Sequence, residues 1–180
     1  MIETQEAIER ARAMLGTPYA SLDCIGLIVR IIRTGRGGRT NYRTAGTNSL
    51  WRSYTMSAKY RDLTWRQEGT GGARAGMLAF KRRAEDVHHV GLVTGDGTVI
   101  HSSSARGCVV ETELDGEWNL LAIHRDIAVQ ESREEDAEPL EDGGAAMDTQ
   151  ADGRRVTIID DEGNCFSPAG GWRVCFGSID

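Results

Sequence analysis

Apolar residues recur at helical spacing early in the chain and at strand spacing later, and the change of period divides it. Ala7, Ile8, Ala11 and Leu15 fall on one helical face, with Thr4 placed to cap its start and Gly16 to stop it. Pro18 forces a turn, and a second helix begins at or next to Asp23–Cys24. Its apolar residues (Ile25, Leu27, Ile28, Val29, Ile31 and Ile32) occupy most of its circumference, which predicts a central, buried helix. The stretch TGRGGRTN (34–41) is too rich in glycine for anything but loop. Trp51, Tyr54, Tyr60 and Trp65 lie in a segment (47–66) read as helix after an Asn48 or Ser49 cap, where aromatics serve either core or a substrate groove.

From residue 76 the period is that of strands: MLAF (77–80), HHVGLVT (88–94), TVIHSSS (98–104), CVVET (108–112) and NLLAIHR (119–125). Helices first and consecutive strands after predict an α+β fold, with N-terminal helices packed on an antiparallel sheet. A domain over 1–126 is then followed by an acidic, weakly apolar linker (127–150) and a small β-rich tail (151–180). The tail is too short to bury a core alone, so it is expected to dock on the domain, another subunit or a partner.

Composition adds little to this frame and excludes some classes. The chain has 180 residues, 39% hydrophobic and 27% charged, which suits a soluble globular protein. Its longest apolar run, 25–32, is broken by Arg30 and is too short to span a bilayer. The N-terminal segment is amphipathic and lacks a secretory layout, so an extracytoplasmic role would need a non-classical route. The net charge of −6 is uneven: residues 1–126 carry 17 basic against 14 acidic side chains, residues 127–180 carry 4 against 13. A mildly basic body suits either an anionic polymer or an ordinary mixed surface. The cysteines (24, 108, 165 and 175) form no CxxC pattern, and Cys165 and Cys175 are candidates to bridge two short tail strands.

The chemistry centres on Cys24. First-turn amides and the helix dipole favour a thiolate at a helix start, and the thiolate is the nucleophile. It needs an imidazole in reach, oriented by a third group. HHVGLVTGDGTVIHSSS reads as a hairpin about its glycines. A three-residue loop, Gly95–Asp96–Gly97, pairs Thr94 with Thr98 and places His89, Gly91, His101 and Ser103 on one face. A two-residue Asp96–Gly97 turn would instead put His101 on the face of His88. The trio Cys24, His89 and His101 also has the donor types of a three-ligand zinc site, though a nucleophile explains a helix-start cysteine better. His88 and His124 are read as surface and structural residues.

LGTPY (15–19), DCIGLI (23–28), AGMLAF (75–80) and HVGLVTGDGTVIHSS (89–103), in that order, resemble the NlpC/P60 family of papain-like cysteine peptidases, which cleave peptidoglycan stem peptides. The resemblance covers roughly residues 5–125. It implies Cys24 as nucleophile, His89 as general base and His101 as the residue orienting His89, and it favours the three-residue loop. It further implies Tyr19 and Asp23 near the substrate. Ser102 and Ser103, which follow the motif histidine, are read as hydrogen-bonding residues near the cleft. The implied substrate is a peptidoglycan stem peptide, most often cut between D-γ-glutamyl and a diamino acid. No cofactor or metal, nucleic-acid partner or membrane insertion is implied. Ile25 stands where the family usually has serine, and Gly76–Met77 where it usually has Gly-Asp. The usual Trp-Gly-Gly is missing near Cys24, a compact form found in phage and prophage proteins; lysis or virion entry would then supply the route to the wall. A competing class is a non-enzymatic wall-binding or tail-assembly module, and an amidase on the same fold is a third reading.

Overall fold

The computed structural model describes residues 1–131 and, beyond them, the backbone of two two-residue strands. Three helices precede the sheet: α1 (Thr4–Arg12), α2 (Cys24–Thr34) and α3 (Thr47–Arg52), the last continued by a 3-10 turn, Ser53–Thr55. Six strands follow, β1 (Leu63–Glu68), β2 (Leu78–Arg83), β3 (Asp86–Val93), β4 (Thr98–Ser103), β5 (Cys108–Glu113) and β6 (Leu120–His124). They form one antiparallel sheet in the order β1-β6-β2-β3-β4-β5. The fold is α+β, as the change of period predicted.

Alternation along the strands gives the sheet two apolar faces. On one, Leu78, Phe80, Leu92, Ile100, Leu120 and Ala122 pack with Leu27, Ile28, Ile31 and Ile32 of α2. On the other, Met77, Ala79, Val93, Val99, Trp118 and Leu121 form a smaller cluster. Met77 is therefore core. Gly76 beside it is fixed by geometry: its φ is +89°, and a Cβ would stand 2.2 Å from the Ala128 carbonyl oxygen.

Three expectations are corrected. Thr4 does not cap α1; it is the first helical residue, and its hydroxyl donates to the Ala128 carbonyl at 2.8 Å. Leu15 lies beyond the helix, which ends at Arg12, and is exposed. Residues 47–66 are not one helix: α3 starts after Gly46, not after Asn48 or Ser49, and the segment ends in β1. Its aromatics divide accordingly. Trp51 packs edge-on against Phe80 (5.3 Å between centroids), Tyr54 packs on the core, and Tyr60 and Trp65 are exposed.

The glycine-rich loop after α2 is pinned by charge. Arg39 bonds Asp62 at 2.6 Å and Asp126 at 2.5 Å, and its guanidinium lies 4.7 Å from the Tyr42 ring centroid. Ile127 is buried and bridges Ile2, and Gln130 N–H donates to the Ala75 carbonyl at 3.0 Å, so the first residues after 126 run along the domain. In the tail, β7 (Ile158–Ile159) pairs antiparallel with β8 (Cys165–Phe166). The candidate Cys165–Cys175 bridge and most of the 127–150 linker lie outside the described residues.

Candidate active site

Cys24 is the first residue of α2, and Asp23 caps that helix. The Asp23 carboxylate accepts from the Gly26 N–H at 2.7 Å, satisfying one of the amides a helix start leaves unpaired. Ahead of the cap, the fully buried Ser102 donates to the Leu22 carbonyl, tying β4 to the turn that delivers Cys24. Ser102 therefore does not face a cleft, contrary to expectation; its hydroxyl is spent on the backbone. Ile25 is half-buried and packs against the core.

The histidines come from the hairpin. Leu92 pairs with Ile100 and Val93 with Val99, and the Thr94 N–H donates to the Thr98 carbonyl at 3.1 Å. This is the three-residue-loop register, with Gly97 left-handed at φ +71°. His89 and His101 consequently share a face, and His89 Nε2 lies 2.7 Å from His101 Nδ1. Gly91 makes this approach possible. A Cβ there would stand 2.6 Å from Val99 Cγ2 and 3.0 Å from His101 Cβ.

Below the two rings sits Trp118, its indole 5.4 Å from His89 and 5.2 Å from His101, centroid to centroid. His101 Nε2 reaches Thr112 Oγ1 at 3.2 Å, and the Thr112 hydroxyl donates onward to the Glu113 carbonyl at 3.4 Å. One tautomer assignment satisfies all of these contacts with the Thr112 hydroxyl so turned. Thr112 accepts from His101 Nε2–H, His101 Nδ1 accepts from His89 Nε2–H, and the Nδ1 lone pair of His89 stays free. The facing nitrogens are also too close for an intervening zinc ion, which needs about 2.0 Å to each.

Cys24 lies close to the β3 backbone next to His89, and the N–H groups of Val90, of Ile25 and of Cys24 itself favour its thiolate. Burial nevertheless dominates and raises the thiol pKa, with Asp23 pushing the same way. The helix start therefore does not leave a resting thiolate, contrary to the sequence expectation. Burial likewise lowers His89 to about 3, helped by the charges of His101, Lys81 and His88. His101 falls to about 4 through burial and then Lys81 and Arg106, with Asp115 opposing. The resting site holds a neutral thiol and two neutral imidazoles. Tyr19 is half-buried, its phenol pKa raised by burial and by Cys24 and Asp23 nearby, and its N–H donates to the Gly107 carbonyl at 2.8 Å.

The structure brings Cys24, Asp23, Tyr19, His89 and His101 to one neighbourhood and adds two residues that sequence reasoning missed. Thr112 is diagonal to His101, because His101 pairs with Val110 and Val99 with Thr112. Only the β4–β5 register reveals it. Trp118 carried a weaker signal, a lone aromatic among the polar residues of the β5–β6 turn. His88 is exposed and His124 buried, as read.

No protein-family model matches the chain, and no curated protein matches it either. Among solved structures it is similar to the NlpC/p60 domain of the peptidoglycan hydrolase SagA (20% identity, 67% of this chain and 97% of that one, TM-score 0.47). It is also similar to the P60 domain of the M. avium subspecies paratuberculosis antigen MAP1204 (17% identity, 67% and 93%, TM-score 0.49). A third similar structure is the peptidoglycan hydrolase RipB from Mycobacterium tuberculosis (16% identity, TM-score 0.49), where the match takes 66% of this chain and 63% of RipB.

Proposed function

We propose that this chain is a cysteine peptidase of the NlpC/P60 kind that hydrolyses an amide bond in peptidoglycan stem peptides, with the D-γ-glutamyl–diamino acid bond as first candidate. The observation that carries the reading is the ordered relay from His89 through His101 to Thr112, with the helix-start Cys24 close to the backbone of Val90, the neighbour of His89 in β3. Such a relay holds one imidazole nitrogen unprotonated and free to accept a proton, which a merely structural histidine pair has no need to do.

In this reading Cys24 Sγ attacks the carbonyl carbon while His89 Nδ1 takes the thiol proton. The imidazolium that forms is stabilised through its Nε2–H bond to His101. Negative charge on the carbonyl oxygen is met by the N–H of Cys24 at the α2 start. His89 returns the proton to the leaving amine, and the C–N bond breaks to give a thioester. Water, deprotonated by His89, then attacks the thioester and releases the acid and the free thiol. Because the resting pair is neutral, proton transfer accompanies attack instead of preceding it. Tyr19 and Asp23 lie near the nucleophile, where their charges and that of Cys24 act on one another. Where the resemblance places this compact form among phage and prophage proteins, the route to the wall is lysis or virion entry.

The raised thiol pKa favours one second reading, a module that binds wall peptide without turnover. Digestion of purified peptidoglycans by the native chain and by Cys24→Ala, with fragments identified by mass spectrometry, separates the two. Hydrolysis predicts new peptide termini from the native chain alone. Binding of wall fragments by both proteins without any new termini would overturn the peptidase reading.

A further inference from the structure

The turn between β5 and β6 is clamped onto β2 around one lysine. The Asn119 N–H donates to the Phe80 carbonyl at 3.1 Å. The Asn119 side-chain amide pairs with the backbone of Arg82, accepting from its N–H at 2.9 Å and donating to its carbonyl at 2.8 Å. Lys81 lies between these two anchors. Glu117 and Trp118, the residues just before Asn119, both meet it. The Lys81 ammonium stands 4.8 Å from the indole centroid and is ion-paired with the Glu117 carboxylate.

The same lysine is directly opposite His89 in the β2–β3 ladder. A register shift follows at once, and Arg82 pairs with Val87. Lys81 and His89 are therefore cross-strand neighbours on one face of the sheet, fixed there by the irregularity beside them. The buried Trp118 indole packs against both imidazoles as well as the ammonium.

Stability does not account for this arrangement. The Lys81 side chain is only 19% exposed, whereas that of Glu117 is 73% exposed. An ion pair with one partner in water contributes little, and a cation beside two imidazoles opposes proton uptake by either. Burial is the first cause that lowers both rings, and Lys81 acts in the same direction on each. The other groups facing the pair act on one ring or against each other. His88 on β3 lowers His89, while Arg106 lowers His101 and Asp115 raises it. From α2, Cys24 lies close to the Val90 N–H.

Resting on the peptidase reading, we infer that Lys81 is a positioning residue for the base. Held by Trp118 and Glu117, its charge keeps the His89–His101 pair from storing the thiol proton, so His89 takes that proton only to pass it to the leaving amine. Glu117 sets how much of the charge is felt. An imidazolium next to an ammonium is the stronger acid, which suits protonation of an amine leaving group.

The full chain is compared with Lys81→Met, Lys81→Arg and Glu117→Gln. Alkylation of Cys24 by iodoacetamide is followed from pH 5 to 8 by mass spectrometry of the peptide that contains it, and hydrolysis of a stem peptide is measured at pH 7. A thiolate–imidazolium pair contributes a component of alkylation that does not depend on pH. In Lys81→Met that component is expected to rise about tenfold, the scale of one unit charge removed at close range. Glu117→Gln leaves the ammonium uncompensated and should lower it about threefold, less because the carboxylate is exposed. Lys81→Arg keeps the charge and should stay near native. Hydrolysis by Lys81→Met should be slower although its thiol reacts faster. A thiol merely bared by loosened packing would instead keep losing about tenfold in rate for each pH unit below its pKa. Equal components in all four chains, changes of one sign in Lys81→Met and Glu117→Gln, Lys81→Arg behaving as Lys81→Met, or unslowed hydrolysis by Lys81→Met overturns the assignment. Opposite shifts in a chain that never cleaves would sink the peptidase reading and leave the hold of Lys81 on the pair standing; cleavage with the thiol rates unmoved would do the reverse.

Discussion

A methyl group on Gly91 would meet Val99 Cγ2 at 2.6 Å, the Ile100 carbonyl at 2.9 Å and His101 Cβ at 3.0 Å. Gly91→Ala is therefore expected to cost about 1–3 kcal/mol in urea unfolding, as overpacking does, and to displace the His101 ring. Thr112 acts one step further out. Thr112→Val keeps the shape of the side chain and removes the acceptor for His101 Nε2–H, freeing both rings to change tautomer. Steady-state kinetics on a stem peptide should show kcat reduced about tenfold with KM unchanged, and Thr112→Ser should recover most of the loss. An equal loss in Thr112→Ser would mean that packing, and not the hydroxyl, is what matters. The thiol gives a further check: with burial holding its pKa up, alkylation of Cys24 should be slow below pH 7 and rise as pH increases. A fast, pH-independent phase below pH 7 would indicate a resting ion pair instead.

At the scale of elements, α2 carries both the core and the nucleophile, and its cap links the two. Asp23→Ala removes the acceptor for Gly26 N–H and is expected to lower stability by about 1 kcal/mol, with Asp23→Asn close to native. Most elements were legible in the chain because their apolar periods are clean: α2 is apolar nearly all round, β3, β4 and β6 bury most of their residues, and β2 buries its first half. β1 was not. Only Leu63 of LTWRQE is fully buried, because the strand lies at the sheet edge and shows no alternation. Its Trp65 was grouped with the aromatics of the preceding helix. The candidate site followed the same division. Cys24, His89 and His101 stand in short local motifs, whereas Thr112 and Trp118 reach the rings only through pairings between strands and turns far apart in sequence. Burial, which reverses the expected shift of the Cys24 thiol, is likewise a property of the packed sheet and not of the helix start alone.

Across the whole molecule, three buried or half-buried histidines are held neutral. His89 is lowered to about 3, and His101 and His124 to about 4, burial being the largest cause each time. His124 sits at the end of β6, edge-on to Tyr42 at 5.2 Å, its Nδ1 accepting from the Asp126 N–H. An unfolded histidine protonates near pH 6.5, so below that pH the unfolded chain binds protons the folded chain refuses. Stability is then full above about pH 6.5 and falls as pH drops toward about 4. Chemical denaturation at pH 7.5 and pH 5 should show a lower midpoint at pH 5, and His124→Gln should reduce the difference. A midpoint unchanged between these values would contradict the burial described for all three rings.

The claim on which the account turns is that Cys24 forms a covalent bond with the acyl half of a stem peptide. Mass spectrometry of the chain quenched in acid during turnover, followed by peptic digestion, tests it most directly. The peptide containing Cys24 is expected to gain the mass of the acyl fragment less one hydrogen, with the adduct absent from Cys24→Ala. Cleavage of the stem peptide by Cys24→Ala at the native rate would contradict it.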